Sequence, residues 1–318
     1  YGALLAGYSM APTPMVENAL ALELDQGKAR LPLGRLAATR AAALINGTAS
    51  HTAEVDDIYR EAIYHPGAPT FSAAMAVGQA LDVSGLEFLK AAIAGYETST
   101  RIGQVMGRAH YQHWHNTGTV GTFGATTAAA YLLKLNAEQT ANALSLSATF
   151  AAGLQQAFKM DSLAKPLHSG RAAEAGVTAA MLAQQGVISS LDVFEGEVGL
   201  GRAMSDGPDW SLAFDDLGAR FNINSMTFKN HACCGHTFAP IDGALELQTR
   251  HGIAAEDIER IVVATYAPAI AVAGNPQPVT GPEARFSIPF VVSTALLHGS
   301  VRSPRLMPSA CSRPPFGR

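Results

Sequence analysis

Charge is what this sequence is shortest of. Only 15% of its 318 residues are Asp, Glu, Lys or Arg, where about a quarter is usual. A chain so poor in charge has to bury much of its surface, in its own core and against another subunit. Aromatic residues are scarce too, 7% against 48% for all hydrophobic residues, so the core has to be built from small aliphatic side chains. The net charge of −4 comes with no basic stripe, so nothing supports a nucleic-acid partner. Three cysteines, two of them adjacent, make no disulfide framework, and a reduced cytoplasmic setting fits. No apolar run reaches the ~18 residues that a bilayer span needs. No signal peptide is recognisable either, so no membrane association is expected.

What the chain does have is concentrated. Eight of its ten histidines sit in four short polar islands. The first runs from His51 through Glu54, Asp56 and Asp57 to His65-Pro66-Gly67. The second is His110 to Gly118, the third Lys165 to Arg171 with His168, and the fourth Lys229 to His236 with His231, Cys233 and Cys234. Groups that exchange protons near neutral pH lie beside lysines able to hold carboxylates, which points to an acid–base enzyme acting on a small anion.

The frame around the islands reads as helix. Ser84-Gly-Leu-Glu87 is a capping box, followed by Leu86, Leu89, Ile93 and Tyr96 at helical spacing. Val120 to Leu135 is alanine-rich, Asn136 can cap a helix from Glu138 to about Gln155, and Gly186 closes one from Gly170 to Gln185. Residues 1–218 are therefore expected to form one large all-helical domain. The character changes near 219: Asn222–Phe228 and Ile258–Tyr266 read as extended or strand-like, and Pro240–His251 as helix. The expected class is mainly α, with a smaller α+β lid over 219–301.

Both ends depart from this pattern. The chain starts at Tyr1, already inside an apolar segment, so the helical domain reads as N-terminally truncated. Residues 302–318 hold four arginines, four prolines and no acid, and without them the net charge would be −8. That tail reads as aberrant or disordered, leaves the lid incomplete, and is expected to add nothing to a core.

His51-x-x-Glu54-x-Asp56-Asp57, followed eight residues later by His65-Pro66-Gly67, resembles the signature of the MmgE/PrpD family. Gly95-Tyr96-Glu97 with Arg101, His115-Asn-Thr-Gly118, Lys165-Pro-Leu-His168-Ser-Gly-Arg171, Lys229 with Cys233-Cys234, and Phe286-Ser-Ile-Pro-Phe290 follow in the family's order. The family contains 2-methylcitrate dehydratases, cis-aconitate decarboxylases and iminodisuccinate epimerases. The resemblance implies a helical domain with an α+β lid, a homodimer, an active site between the two domains, and no metal or organic cofactor. By position it makes Glu54, His65, His115, Lys165, Lys229 and Cys234 the active-site residues.

The residues can also be argued singly. If Thr52–Glu61 is helical, Glu54 and Asp57 lie on neighbouring positions, so one carboxylate can face a cleft while the other holds a histidine. His65 precedes a Pro-Gly turn that can fix its ring. His110, His113 and His115 lack one-face spacing for a metal, which leaves His115 as a single catalytic imidazole. Amides at Gly118 to Gly121 could hold a substrate carboxylate. Pro166 is expected to keep Lys165 extended, where its charge can stabilise an enediolate. His168 and Arg171 read as packing or supporting groups. A zinc site or a reactive thiol at Cys233 or Cys234 stays open beside a pocket-wall reading. Ile58, Phe238 and Phe290 replace the family's usual threonine, histidine and tyrosine, which makes the pocket less polar.

Proton removal by His65 or His115 next to a substrate carboxylate, with Lys165 and Lys229 holding the anion, serves several outcomes. The resemblance implies a hydro-lyase of the 2-methylcitrate dehydratase type first. A dicarboxylate epimerase, a cis-aconitate decarboxylase-like lyase and an inactive fragment are the alternatives.

Overall fold

The computed structural model describes residues 1–158 and 162–302. Two compact units divide the chain, Tyr1–Phe228 and the residues from Lys229 onward. That division falls a little beyond the compositional change at 219.

The first unit opens with α1 (Gly2–Tyr8), α2 (Thr13–Ala19) and a hairpin of β1 (Leu24–Arg30) with β2 (Leu36–Ala37). Helices α3 (Thr39–Thr52), α4 (Gly67–Leu81), α5 (Gly85–Tyr111), α6 (Asn116–Leu132), α7 (Ala137–Phe150), α8 (Ala164–Gln184) and the short α9 (Leu200–Met204) follow. The α6 sequence carries no charge and is buried everywhere except Thr127 and Tyr131. A helix without a polar face belongs inside a bundle, and α4, α5, α7 and α8 pack around it. Small residues allow this. A Cβ on Gly176 of α8 would lie 2.5 Å from Ala125 Cβ of α6, and one on Gly47 of α3 would lie 2.8 Å from Gly170 Cα of α8. Several hydroxyls buried in these helices return to their own carbonyls, as Thr122 does to Gly118 (2.9 Å) and Thr126 to Thr122 (2.7 Å), which satisfies them despite the close packing.

Several sequence expectations need adjusting. Ser84 caps α5 by accepting from Glu87 N–H, but the Glu87 carboxylate reaches Lys90 (3.1 Å) and Lys134 (2.6 Å). Leu86, Leu89 and Ile93 face outward at 63%, 52% and 37% exposure. The face of α5 turned inward is Ala91, Gly95, Ser99, Ile102 and Met106. Asn136 and Gln139 form a complete capping box on α7. This helix stops at Phe150, because Leu154 pairs with Trp114 and draws the chain out of helix. Helix α8 starts at Ala164, before Gly170, with Pro166 in its first turn, where a missing N–H costs nothing. Lys165 is therefore helical rather than extended.

A buried ion pair ties the end of this unit to α5. Arg101 Nε binds Glu97 at 2.6 Å, while its other nitrogens reach the carbonyls of Ala213 (3.0 Å), Asp215 (2.5 Å) and Arg220 (3.1 Å). Glu97 also accepts from Asn222 N–H at 2.8 Å. Residues 222–225 form a 3-10 turn rather than an extended stretch, and Thr227 alone pairs with Ile58.

The second unit contains α10 (Phe238–His251), α11 (Ala267–Ala273), α12 (Gly281–Ala284) and α13 (Ile288–His298), with α13 packed on α10. Ser287 caps α13, accepting from Phe290 N–H at 3.2 Å and donating to Asn275 O at 2.6 Å. The strand expected at Ile258–Tyr266 does not form among the described residues, since a strand needs a neighbour's amides and carbonyls to pair with. The strand content of the expected lid is thus not seen, and the expectation for the tail beyond residue 302 lies outside the described residues. No helix among the described residues is long and apolar enough to cross a membrane.

Candidate active site

Three segments of the first unit bring the first three polar islands together. Helix α3 ends at Thr52 and is not continued to Glu61. Glu54 has φ +57°, a left-handed conformation that a non-glycine residue holds at a cost of about 1 kcal/mol or more. This reversal returns Asp56 beneath His51, and the two side chains bond at 2.6 Å from Nδ1 to Oδ2. Mutual backbone bonds between Tyr59 and Tyr64 (2.7 and 3.1 Å) then close the loop and deliver His65 to the same place. Its Nδ1 lies 3.3 Å from Asp56 Oδ2 and 3.0 Å from the Asp57 carbonyl.

His115 arrives from the start of α6. Its N–H donates to Gly153 O at 2.8 Å, beside the Trp114–Leu154 bridge. The next residues tether the His65 loop: Asn116 donates to the Ala62 carbonyl, and Thr117 Oγ1 accepts from His65 N–H at 3.4 Å. His51 and His115 stack at 5.5 Å, His51 and His65 meet edge-on at 4.9 Å, and Phe158 stands against His115 at 4.8 Å. The first turns of α8 add His168, whose Nδ1 is 3.0 Å from His115 Nδ1, and Lys165, which pairs with Glu54.

The electrostatics follow from burial and crowding. Burial, then the charges of His51 and Lys165, hold His115 well below the usual imidazole range. The same causes in the same order push His168 down to about 4. Both pKa values are shifted so as to favour neutral rings near neutral pH, and of the two bonded Nδ1 atoms one donates and the other accepts. Burial, then the neighbouring Asp56 charge, raises Asp57 to about 6. Asp57 anchors the start of α4, accepting from Gly67 N–H at 3.2 Å and bonding the Tyr96 hydroxyl. A lysine and the positive starts of two helices at one place favour an anion.

Of the residues singled out by sequence, Glu54, His65, His115 and Lys165 thus share one cluster, and Asp57 lies at its base. Lys229 and Cys234 belong to the second unit. There Cys233 is buried with Sγ 3.0 Å from Thr237 Oγ1, and Cys234 N–H donates to Arg285 O at 2.9 Å. His231 bonds Asp242 at 2.8 Å, while His236 bonds Tyr266. The amides expected to hold a carboxylate are already used, since Gly118 and Thr119 N–H both donate to His115 O (2.8 and 3.1 Å). The histidine trio of the second island separates: His110 is fixed by Met204 O (2.9 Å) and Thr119 (2.7 Å), and His113 is exposed. A cavity of about 1260 Å³ in the second unit is lined by Ile258–Ile261 and α13, with no histidine or lysine.

Sequence reasoning passed over His51, Asp56, Tyr96 and Phe158. The signal for the first two was the head and centre of the His51-to-Asp57 motif. Reading that segment as helix hid the reversal at Glu54.

The charge-poor helical bundle thus holds a buried cluster of imidazoles, carboxylates and an ammonium, groups of the kind that exchange protons. Comparison with known proteins agrees with the motifs. The MmgE/PrpD N-terminal domain matches residues 1–213 and the C-terminal domain residues 231–315. The chain belongs to the MmgE/PrpD family. It is 29% identical over 285 residues to a cis-aconitate decarboxylase of Homo sapiens, covering 86% of this chain and 58% of that protein. It is 27% identical over 297 residues to a cis-aconitate decarboxylase-like protein of Aspergillus oryzae, covering 85% of this chain and 61% of the other. A cis-aconitate decarboxylase of Aspergillus terreus is 27% identical over 225 residues, 66% of this chain and 46% of that protein. The chain thus spans about three fifths of the first two relatives.

Proposed function

We propose that the protein is an acid–base lyase that acts next to a carboxylate of a small tricarboxylic acid, with decarboxylation of a cis-aconitate-like acid as its reaction. The observation that carries this reading is the convergence of His51, His65, His115 and His168 with the Lys165–Glu54 pair in one buried cluster. The similarity to cis-aconitate decarboxylases supports the choice of reaction.

In this reading a substrate carboxylate leaves as carbon dioxide and its bonding pair passes to the remaining carbon framework. Lys165 neutralises the charge that develops there, which in a water-poor site is the largest single contribution to such a step. An imidazole of His65 or His115 delivers the proton that ends on carbon. Burial favours a neutral His115, so this ring takes a proton before it gives one. Lys229 and Cys234 enter as substrate-binding residues on the strength of the family motif.

The same groups could remove water from 2-methylcitrate or return a proton to the opposite face of a dicarboxylate. The test is product analysis by ¹H NMR after incubation with cis-aconitate, 2-methylcitrate and iminodisuccinate in separate reactions. The reading expects carbon dioxide and a decarboxylated acid from cis-aconitate. Turnover of 2-methylcitrate alone, or loss of chirality without elimination, would replace the reaction while keeping the site.

A further inference from the structure

We propose that Asp56 is a positioning residue of this site, one buried carboxylate oxygen holding the Nδ1 edges of both His51 and His65 so that each ring turns an unprotonated Nε2 away from it. The inference rests on the acid–base reading above and names how that chemistry is oriented.

The Asp57 carbonyl can only accept, and it lies 3.0 Å from His65 Nδ1. That nitrogen therefore carries the proton, and the neutral ring is bare at Nε2. Asp56 Oδ2, 3.3 Å from the same nitrogen, shares this hydrogen. His51 reaches that oxygen at 2.6 Å, at the short end for a nitrogen bonded to a carboxylate. Its Nδ1 is likewise the donor. His51 Nε2 is buried and has no hydrogen-bond partner among the described residues, as expected of an acceptor set aside from the scaffold. The ring is wholly buried, edge-on to His65 and stacked on His115.

One negative charge beneath two imidazoles has a further consequence. A proton taken up by either ring is balanced without new ions entering the cluster. The Asp56 charge also reaches Asp57, whose pKa is raised to about 6 by burial first and that charge second. The other charged or titratable groups around the two rings are His115, His168, Lys165, Glu54 and Tyr96. None supplies an oxygen shared by both Nδ1 atoms. His51, Asp56 and His65 each offer one ligand atom within 4.8 Å of the others, a spacing that a divalent ion could also use. The hydrogen-bonded arrangement is favoured by the direct 2.6 Å contact of His51 Nδ1 with Asp56 Oδ2.

The test reads the rings themselves. Two-bond ¹H–¹⁵N correlation spectra of the full chain, labelled on histidine, report which nitrogen of each ring bears hydrogen. His51→Gln and His65→Gln assign the signals. The expected result is Nδ1–H with bare Nε2 for both His51 and His65, and loss of that preference in Asp56→Asn. In parallel, Asp56→Asn should lower kcat by ~10²-fold or more with KM little changed, as when an imidazole loses its orienting carboxylate. Asp56→Glu should restore part of it.

Nε2–H in either wild-type ring overturns the proposal, as do tautomers and kcat unchanged in Asp56→Asn. Stoichiometric shifts of both rings on adding Zn²⁺ or Mn²⁺ to wild type would make the trio a metal site and overturn it too. If Asp56→Asn does not fold, the wild-type tautomers still decide. If the tautomers are as expected but none of the three acids is turned over, only the proposed reaction fails.

Discussion

Replacing Asp57 by asparagine should stabilise the protein, and should do so only above a definite pH. Asp57 is half-buried as a residue, but its Oδ2 is buried without a hydrogen-bond partner among the described residues. Its pKa rises from 3.8 to about 6 on folding, through burial first and the Asp56 charge second. The folded protein thus binds this proton more tightly than the unfolded chain does. The contribution is favourable below the unfolded value and is lost as pH rises through about 6. Two pKa units correspond to up to ~3 kcal/mol of penalty on the ionised form above that range. Asparagine keeps an acceptor for Gly67 N–H and an amide for the Tyr96 hydroxyl, and it carries no charge. His168, held down at about 4, acts in the opposite sense over the same range, so the difference between variant and wild type isolates Asp57. Urea unfolding followed by far-UV circular dichroism, at one pH near the unfolded value and one well above the folded value, measures it. The variant should gain most of that ~3 kcal/mol at the higher pH and little at the lower. An equal effect at both, or a loss confined to the higher pH, would refute the reasoning, because the charged carboxylate would then be stabilising.

Four further outcomes follow from packing, charge and exposure. Arg101→Ala should cost ~3–5 kcal/mol in the same unfolding assay, because it leaves the buried Glu97 carboxylate unbalanced and frees the chain held at Ala213 to Arg220. Gly176→Val should cost at least ~1–3 kcal/mol, since the side chain would enter the contact with Ala125 and Thr126; an unchanged melting temperature would show that α6 and α8 can separate. Lys165→Met should lower kcat by ~10²–10³-fold in the product assay, and Lys165→Met with Glu54→Gln should recover stability but not turnover. The exposed His113→Ala should change neither activity nor stability.

How much of this was legible in the sequence depended on the range of the interaction. The caps at Ser84 and Asn136 are local, so they could be read from a few neighbouring residues. The composition also told the truth about the core: a charge-poor, alanine-rich chain does bury a helix such as α6 on nearly all sides. Yet helical spacing alone did not say which side of α5 faces inward, because Leu86 and Leu89 turn out while Gly95 turns in. Close backbone approach, not side-chain size, decides that face.

The site was half visible. Motif residues His65, His115 and Lys165 could be named one by one. Their partners could not, because His168 meets His115 across helices and Asp56 meets His51 only through the left-handed turn at Glu54. Asp57 was named as a catalytic candidate from its place beside Glu54, and the structure shows it holding the start of α4. The strand expected at Ile258–Tyr266 depends on pairing partners that local β-propensity does not supply.

The most direct measurement of the central claim is deuterium content in the product. Cis-aconitate would be turned over in D₂O by wild type, His115→Gln and His65→Gln, with carbon dioxide and product deuterium counted by mass spectrometry and NMR. The account predicts one solvent deuteron on carbon per carbon dioxide released by wild type, with turnover down ~10²-fold or more in at least one variant. Undiminished turnover in both variants, or carbon dioxide released without a deuteron on carbon, would contradict it.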